Sequence, residues 1–378
     1  MVNDDPFYIA DVSHCAKQYM KWNYYLPRVK TFYAVKTNFN SFIIRVIEKI
    51  GGGFDCASME ELRTVLSICP DIDCSQRIIY SHPCKPISHI NYFKDQNVQL
   101  TVADNIHELI KIKEYWPNVK VLVRLKTNDS SSLIPLSTKF GVNKRVAICM
   151  LASAAKLKVN VVGCAFHVGT GCYDETAFKH ALEFAKWFFD IADKSEHVLP
   201  FKFLDIGGGF PGVDEEGKPS FSKLARTINQ TLDELFPEST GIQIIAEPGR
   251  FYAAASMNLV TSIIGLHVKF SENAEIFYYV NDGIFGSFAN ILYEKAVYHV
   301  DCLQMYGIEC SQSSTTLYNS AVFGPTCDSS DCLSPSVDLP LMNIGDYFLF
   351  YYVGAYSSSA STNFNGFNTK KYFYIWKN

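Results

Sequence analysis

Eight short runs of β-branched and aromatic residues alternate with segments whose apolar positions recur at helical spacing over the first 250 residues. The runs are Thr31–Val35, Phe54–Cys56, Arg77–Tyr80, Val98–Val102, Val119–Arg124, Asn160–Phe166, Phe201–Ile206 and Ile242–Ala246. Among the intervening segments, Ser58–Ile68 opens on a Ser58-x-x-Glu61 capping-box pattern, and Glu175–Lys194 repeats Phe178, Leu182, Phe184, Ala185 and Phe188 along a helical stripe. Eight strand-then-helix units in about 240 residues match the arithmetic of a TIM-like (β/α)8 barrel, with a doubly wound open sheet as the competing α/β arrangement. After Arg250 the pattern changes. Met257–Phe270, Glu275–Val280, Thr316–Phe323, Tyr347–Val353 and Lys371–Trp376 are aromatic and β-branched, with few helix-length amphipathic runs, and predict an all-β domain of sandwich or barrel type. The expected division is a barrel over residues 12–253 and a C-terminal β domain over 254–378 together with 1–11.

Composition narrows the function classes. The 378 residues are 48% hydrophobic and 19% charged, enough to fill two cores and to exclude disorder as the dominant state. Lys and Arg number 34 against 38 Asp and Glu, a formal charge of −4, so there is no basic surplus for binding nucleic acid. The longest apolar stretch, near Tyr347–Tyr356, is shorter than the ~18 residues of a membrane span, and the start Met1-Val2-Asn3-Asp4-Asp5-Pro6 has no secretory pattern. A soluble, cytoplasmic protein is expected. The 12 cysteines are scattered from Cys15 to Cys332 without a CxxC pair. Cys69/Cys74 and Cys327/Cys332 are too isolated from histidines to predict a zinc site, so reduced thiols and no metal are expected.

In a parallel barrel the side chains at the C-terminal ends of the strands face one rim, where active sites are built. The polar residues closing the runs are Lys36, Asp55, Arg124, His167, Gly207-Gly208-Gly209 and Glu247. Each alone has an ordinary explanation: solvated charges, a satisfied core histidine, a glycine turn. Six strand ends contributing to one rim point instead to a site. Lys36, behind Phe32-Tyr33-Ala34-Val35, stands at the mouth of an apolar wall where desolvation would make its amine nucleophilic toward an aldehyde. Gly207–Gly209 and Gly249-Arg250 offer backbone N–H groups and a cation to a phosphate. Glu247, too near Arg250 to be a free base, is suited to holding a pyridine nitrogen protonated, with the flat ring of His167 stacked on the cofactor.

These motifs resemble those of the eukaryotic-type ornithine decarboxylases, alanine-racemase-fold enzymes that depend on pyridoxal 5'-phosphate (PLP). The likeness runs from Pro6 to Trp376. It is carried by Phe32-Tyr33-Ala34-Val35-Lys36-Thr37-Asn38, Gly53-Phe54-Asp55-Cys56-Ala57-Ser58, Phe166-His167-Val168-Gly169-Thr170-Gly171-Cys172 and Asp205-Ile206-Gly207-Gly208-Gly209-Phe210-Pro211-Gly212. Further carriers are Ala246-Glu247-Pro248-Gly249-Arg250-Phe251, Asn281-Asp282-Gly283, Gly324-Pro325-Thr326-Cys327-Asp328, Gly354-Ala355-Tyr356 and Phe364-Asn365-Gly366-Phe367. The resemblance implies that Lys36 carries PLP covalently beside Asp55, that His167 stacks on the ring, and that Glu247, supported by Arg124, pairs with the ring nitrogen. Asp205 and Glu61 would brace the site. Thr170, the amides of Gly207, Gly208, Gly209, Gly249 and Arg250, and the Tyr356 hydroxyl would hold the phosphate.

It further implies a homodimer with shared active sites, in which Cys327 protonates the substrate carbon and Asp328, Glu294, Tyr293 and Phe364 bind the substrate. Lys139 would pair with Asp331 across the interface, and Gly354 would let the chains approach. The implied reaction converts L-ornithine to putrescine and CO2, a step of polyamine biosynthesis, with antizyme as a regulatory partner. Two departures bear on substrate choice: Glu294 stands where ornithine-type members have aspartate, and Phe285 where tyrosine is usual. Arginine or lysine as substrate, and a non-catalytic paralogue resembling antizyme inhibitor, are the alternatives. A racemase fits the Cys327-Asp328 tip less well. Because the chain begins close to the first barrel unit and stops at Asn378, the family's N-terminal strand of the β domain and any C-terminal degradation tail are expected to be missing.

Overall fold

The computed structural model describes residues 5–195, 199–269, 275–303, 316–367, 369 and 371–377. It divides into two compact units, one of residues Cys15–Tyr252 and one of residues up to His14 together with those from Ala253 onward.

The first unit contains the eight anticipated strands, and the first strand pairs with the last. With β1 (Phe7–Asp11) belonging to the other unit, they are β2 (Val29–Ala34), β3 (Gly53–Cys56), β4 (Ile78–Tyr80), β5 (Leu100–Ala103), β6 (Lys120–Arg124), β7 (Val161–Ala165), β8 (Phe203–Asp205) and β9 (Gln243–Ala246). They form a closed, all-parallel barrel in sequence order, β2 joining β9 through Val29↔Ile244, which excludes the open sheet. Every barrel strand but β3 sends a side chain into one interior cluster: Phe32, Ile79, Leu100, Val102, Leu122, Val162, Ala165, Phe203 and Ile245. Helices such as Glu175–Asp193, which buries Phe178, Leu182, Ala185 and Phe188, accompany the strands.

The second unit is an eight-stranded sheet of β1 with β10 (Met257–Lys269), β11 (Glu275–Val280), β12 (Val300–Leu303), β13 (Leu317–Phe323), β14 (Cys332–Pro340), β15 (Tyr347–Phe350) and β16 (Lys371–Ile375). The long strand β10 serves both halves. Its first half pairs with β1 and β15 and its second half with β11, the register shifting between Ile263 and Gly265. Phe270, expected at the end of this strand, lies outside the described residues. The N-terminal strand expected to be missing is present. Phe7–Asp11 form β1, antiparallel to β10 through Phe7↔Val260 and parallel to β16 through Phe7↔Lys371. Its burial alternates, Tyr8 and Ala10 facing inward, so five residues suffice to cover this part of the sheet.

Candidate active site

The barrel rim gathers the strand-end residues. Lys36 lies in the 3-10 turn Val35–Thr37 that closes β2, and its Nζ donates to Asp55 Oδ2 at 2.6 Å. Asp55 is on β3, opposite Ala34 in the parallel register, and is 0% exposed, whereas the Lys36 side chain is 42% exposed. The expected apolar wall around the amine is thus interrupted by a buried carboxylate, and the immediate partner of Lys36 is a charge. The second Asp55 oxygen, Oδ1, accepts a hydrogen bond from Ser81 Oγ, at the end of β4. Ser81 was not anticipated; the signal available was the same strand-end rule that selected its neighbours. Glu61 reaches back through its capping box: Ser58 Oγ accepts from Glu61 N at 3.2 Å and Glu61 Oε2 accepts from Ala57 N at 2.8 Å. Burial raises the Glu61 carboxyl above its ordinary pKa, and the Lys36 charge opposes that rise.

His167, after β7, accepts from Gly169 N through Nδ1 at 3.0 Å, which leaves Nε2 to carry the proton of the neutral ring. Burial drives its pKa well below the ordinary histidine value, reinforced by the Arg124 and Lys36 charges, so the ring is uncharged at neutral pH. Arg124 closes β6 with its guanidinium 5.1 Å from the Phe140 ring centroid. Burial lowers its pKa, and Glu247, Asp104, Asp205 and Asp55 counter that. Gly207 takes φ +65, and a Cβ there would lie 2.0 Å from the Phe166 carbonyl oxygen, so only glycine passes. Gly249 is similarly confined, a Cβ there lying 2.0 Å from Thr37 Oγ1. Thr170 is held to the preceding loop by donating its N–H to Ile134 O at 3.0 Å.

Behind the glycines lie two buried carboxyls. Asp205 on β8 accepts from Gly207 N at 2.8 Å through Oδ1; Asp205 Oδ2 and Glu247 Oε1 are buried with no N–H or hydroxyl donor among the described residues, and the two carboxyls are hydrogen-bonded to each other. Burial raises both: on Glu247 the Asp205 and Asp55 charges add to it and carry the group well above the ordinary carboxylate range, while on Asp205 the Asp55 charge adds and hydrogen bonds with Gly207 N and Glu247 oppose, leaving it pushed up to about 7. The cationic charges acting on Glu247 are Lys36 and Arg124, whereas Arg250, three residues away in sequence, acts on Tyr173 and Glu215.

The β unit collects its own residues. Tyr293 donates its hydroxyl to Tyr356 O at 2.7 Å, Phe364 packs on Phe285 with centroids 4.6 Å apart, and Glu294 ends the short helix Asn290–Glu294. Cys327 is exposed, as is Asp328, whose Oδ1 accepts from Ser330 N at 2.8 Å and Ser330 Oγ at 2.6 Å; these bonds lower its pKa. Asp331 is 1% exposed and accepts from Ile284 N at 2.9 Å, Thr326 N at 3.0 Å and Thr326 Oγ1 at 2.7 Å. Its carboxylate fixes the loop that carries Cys327 and Asp328. Gly354 donates to Ala254 O at 3.0 Å, with no room for a Cβ beside Ala253 O. In the barrel unit, Lys139 is exposed, its Nζ 5.1 Å from the Phe140 ring centroid.

Residues 12–254 match the family model described as pyridoxal-dependent decarboxylase, pyridoxal binding domain. The chain belongs to this family. It is 38% identical to the ornithine decarboxylase of Mus musculus, over 98% of this chain and 80% of that protein. It is 39% identical to antizyme inhibitor 2 of Xenopus laevis, over 96% and 79%. Among solved structures, the arginine decarboxylase of Paramecium bursaria Chlorella virus superposes with a TM-score of 0.91 at 32% identity, covering 99% of this chain and 96% of that one. The rim of this pyridoxal-dependent decarboxylase suits the cofactor: a primary amine at Lys36, a neutral flat ring at His167, a glycine-lined passage, and a buried acceptor at Glu247 Oε1 suited to a charged ring N–H.

The carboxyl pair makes the decarboxylase pH-sensitive when freed of cofactor. A carboxyl whose folded pKa lies above its unfolded value of 3.8 stabilises fully below that value, and the contribution is lost as pH rises through about 7. Cofactor-free wild type should therefore lose stability relative to Asp205→Asn between pH 4 and 7. Urea midpoints at both ends of that window check it; parallel trends would contradict it.

Proposed function

We propose that the chain decarboxylates L-ornithine to putrescine and CO2 as a cytoplasmic homodimer in which each β domain completes the partner subunit's barrel site. The observation that carries this reading is the pairing of Lys36 Nζ with buried Asp55 on the same rim as the buried Glu247 carboxyl, which no N–H or hydroxyl donor reaches among the described residues. Bound PLP supplies the electron sink that accepts the pair left behind when CO2 departs. The protein's part is positional. Asp55 holds and orients the Lys36 amine, Glu247 offers its carboxylate to the ring nitrogen, and neutral His167 provides a flat face without competing charge. The glycine amides, Thr170, Arg250 and Tyr356 bind the phosphate. Exposed Cys327 is the proton donor to the substrate carbon; Asp328 and Glu294 hold the distal cation, and Tyr293 and Phe364 complete the substrate-binding set. Lys139 and Gly354 belong to the dimer interface, with Asp331 acting there through the loop it fixes. Retention of Lys36, Asp55, His167, Glu247, Arg250, Cys327 and Tyr356 favours an enzyme over a non-catalytic paralogue. Kinship with antizyme inhibitor 2 supports antizyme as a partner.

Glu294 favours a second reading, arginine as substrate. It stands where ornithine-type members have aspartate, and its carboxylate can accept a guanidinium bidentately. The similarity to a viral arginine decarboxylase points the same way. Trapping CO2 from carboxyl-labelled ornithine, arginine and lysine and ranking kcat/KM tests both readings. Glu294→Asp should shift the ornithine-to-arginine ratio toward ornithine by about tenfold, the worth of one methylene's displacement in a fitted pocket. No CO2 from any of the three would overturn decarboxylation of basic amino acids.

A further inference from the structure

The two oxygens of Asp55 have different partners: Lys36 Nζ on Oδ2 and Ser81 Oγ on Oδ1. The hydroxyl is no loose surface rotor. Ser81 is buried, and the loop that carries it is pinned from below by Lys85, fully buried, whose Nζ donates to His82 O at 3.1 Å and Val102 O at 2.6 Å and pairs with Glu108 Oε1 at 3.0 Å. Cys84 N also donates to His82 Nδ1 at 3.0 Å, closing the turn. The Ser81 backbone is thereby fixed relative to β4 and β5, and its hydroxyl is held against β3.

Asp55 stands in a crowd of charge. Lys36 from β2 and Arg124 from β6 attract its negative charge, while Glu61 from the helix after β3, Asp205 from β8 and Glu247 from β9, all raised in pKa, repel it in their ionised forms. In such surroundings the carboxylate can turn toward either cation, and a neutral donor fixed on one oxygen decides which way the other oxygen faces. We propose that Ser81 is a positioning residue for the decarboxylation: by donating to Asp55 Oδ1 from a pinned loop, it aims Asp55 Oδ2 at the amine of Lys36. The assignment rests on the reading of Lys36 as the cofactor-bearing amine. Ser81 acts in this role through its bond to Asp55, so its loss reaches the turnover rate and the cofactor's ionisation by way of Asp55 and leaves substrate affinity alone.

The test uses holoenzyme of wild type, Ser81→Ala and Ser81→Thr, with kcat, KM, Tm and the pH midpoint of the bound cofactor's visible absorbance band as readouts. Loss of one hydrogen bond to a charged group predicts a kcat about five- to tenfold lower in Ser81→Ala with KM within about twofold. The absorbance midpoint moves in the same variant, and Ser81→Thr, which keeps the hydroxyl, restores both. An Ala variant with wild-type kcat and midpoint overturns the proposal. So does equal impairment of Ala and Thr accompanied by equal loss of Tm, which marks a packing role. A wild-type protein with no absorbance band and no borohydride-fixed label on Lys36 overturns the underlying reading of Lys36 instead.

Discussion

Lys36→Arg is expected to abolish CO2 release, a fall on the order of 10^4 or more, while the cofactor-free protein folds as well as wild type. Arginine keeps the cation against Asp55, which is fully buried and would otherwise lose its charged partner, but a guanidinium stays protonated and cannot attack an aldehyde. The variant therefore separates covalent chemistry from electrostatic support. By pKa alone Lys85 competes for the role, since burial pushes it down to about 8. Its surroundings exclude it: the amine is spent on His82 O, Val102 O and Glu108, with no exposed surface for a substrate to approach. Borohydride reduction and peptide mapping check the assignment. A pyridoxyl label on Lys36 in wild type and none in Lys36→Arg is the expected pattern, and a label on another lysine with retained turnover would contradict it.

How far the residues alone reach differs between the two units. The barrel strands are short apolar runs bounded by polar or helical segments, so all eight were legible, with ends displaced by one or two residues. In the β unit, β12 (Val300–Leu303), only four residues long, and β14 (Cys332–Pro340) were not legible. β14 contains Pro335 and Pro340 and exposes several of its side chains, which masks the strand pattern. β1 (Phe7–Asp11), expected to be missing although residues 1–11 were assigned to this domain, is present; five residues carry too little periodicity to announce it. At the site, the strand-end rule selected Lys36, Asp55, Arg124, His167 and Glu247 but passed over Ser81, because Ser81-His82-Pro83 reads locally as a turn. Spacing along the chain also misled: Glu247 and Arg250 are three residues apart, yet the groups that act on Glu247 come from other strands, Asp205, Asp55, Lys36 and Arg124. Register across a closed barrel, which sets these encounters, is a tertiary property.

Gly208→Ala should weaken cofactor binding by about 10- to 100-fold, the consequence of forcing one methyl into a filled position. A Cβ at Gly208 would lie 2.8 Å from His167 Nε2 and 2.8 Å from Glu247 O. Neither neighbour gives way cheaply: the second is backbone at the end of β9, and the His167 ring is tethered through Nδ1 to Gly169 N at 3.0 Å. The methyl must therefore displace the His167 ring or the strand end that carries Glu247, the two residues proposed to stack on the cofactor and to meet its ring nitrogen, and on that reading both changes act on the cofactor. Titrating the cofactor-free variant with PLP by absorbance, beside its urea midpoint, tells the two roles of the glycine run apart. Were it only a turn, stability would fall and PLP affinity would stay at the wild-type value. A glycine kept for the cofactor's sake predicts the reverse, affinity lost with the fold largely intact.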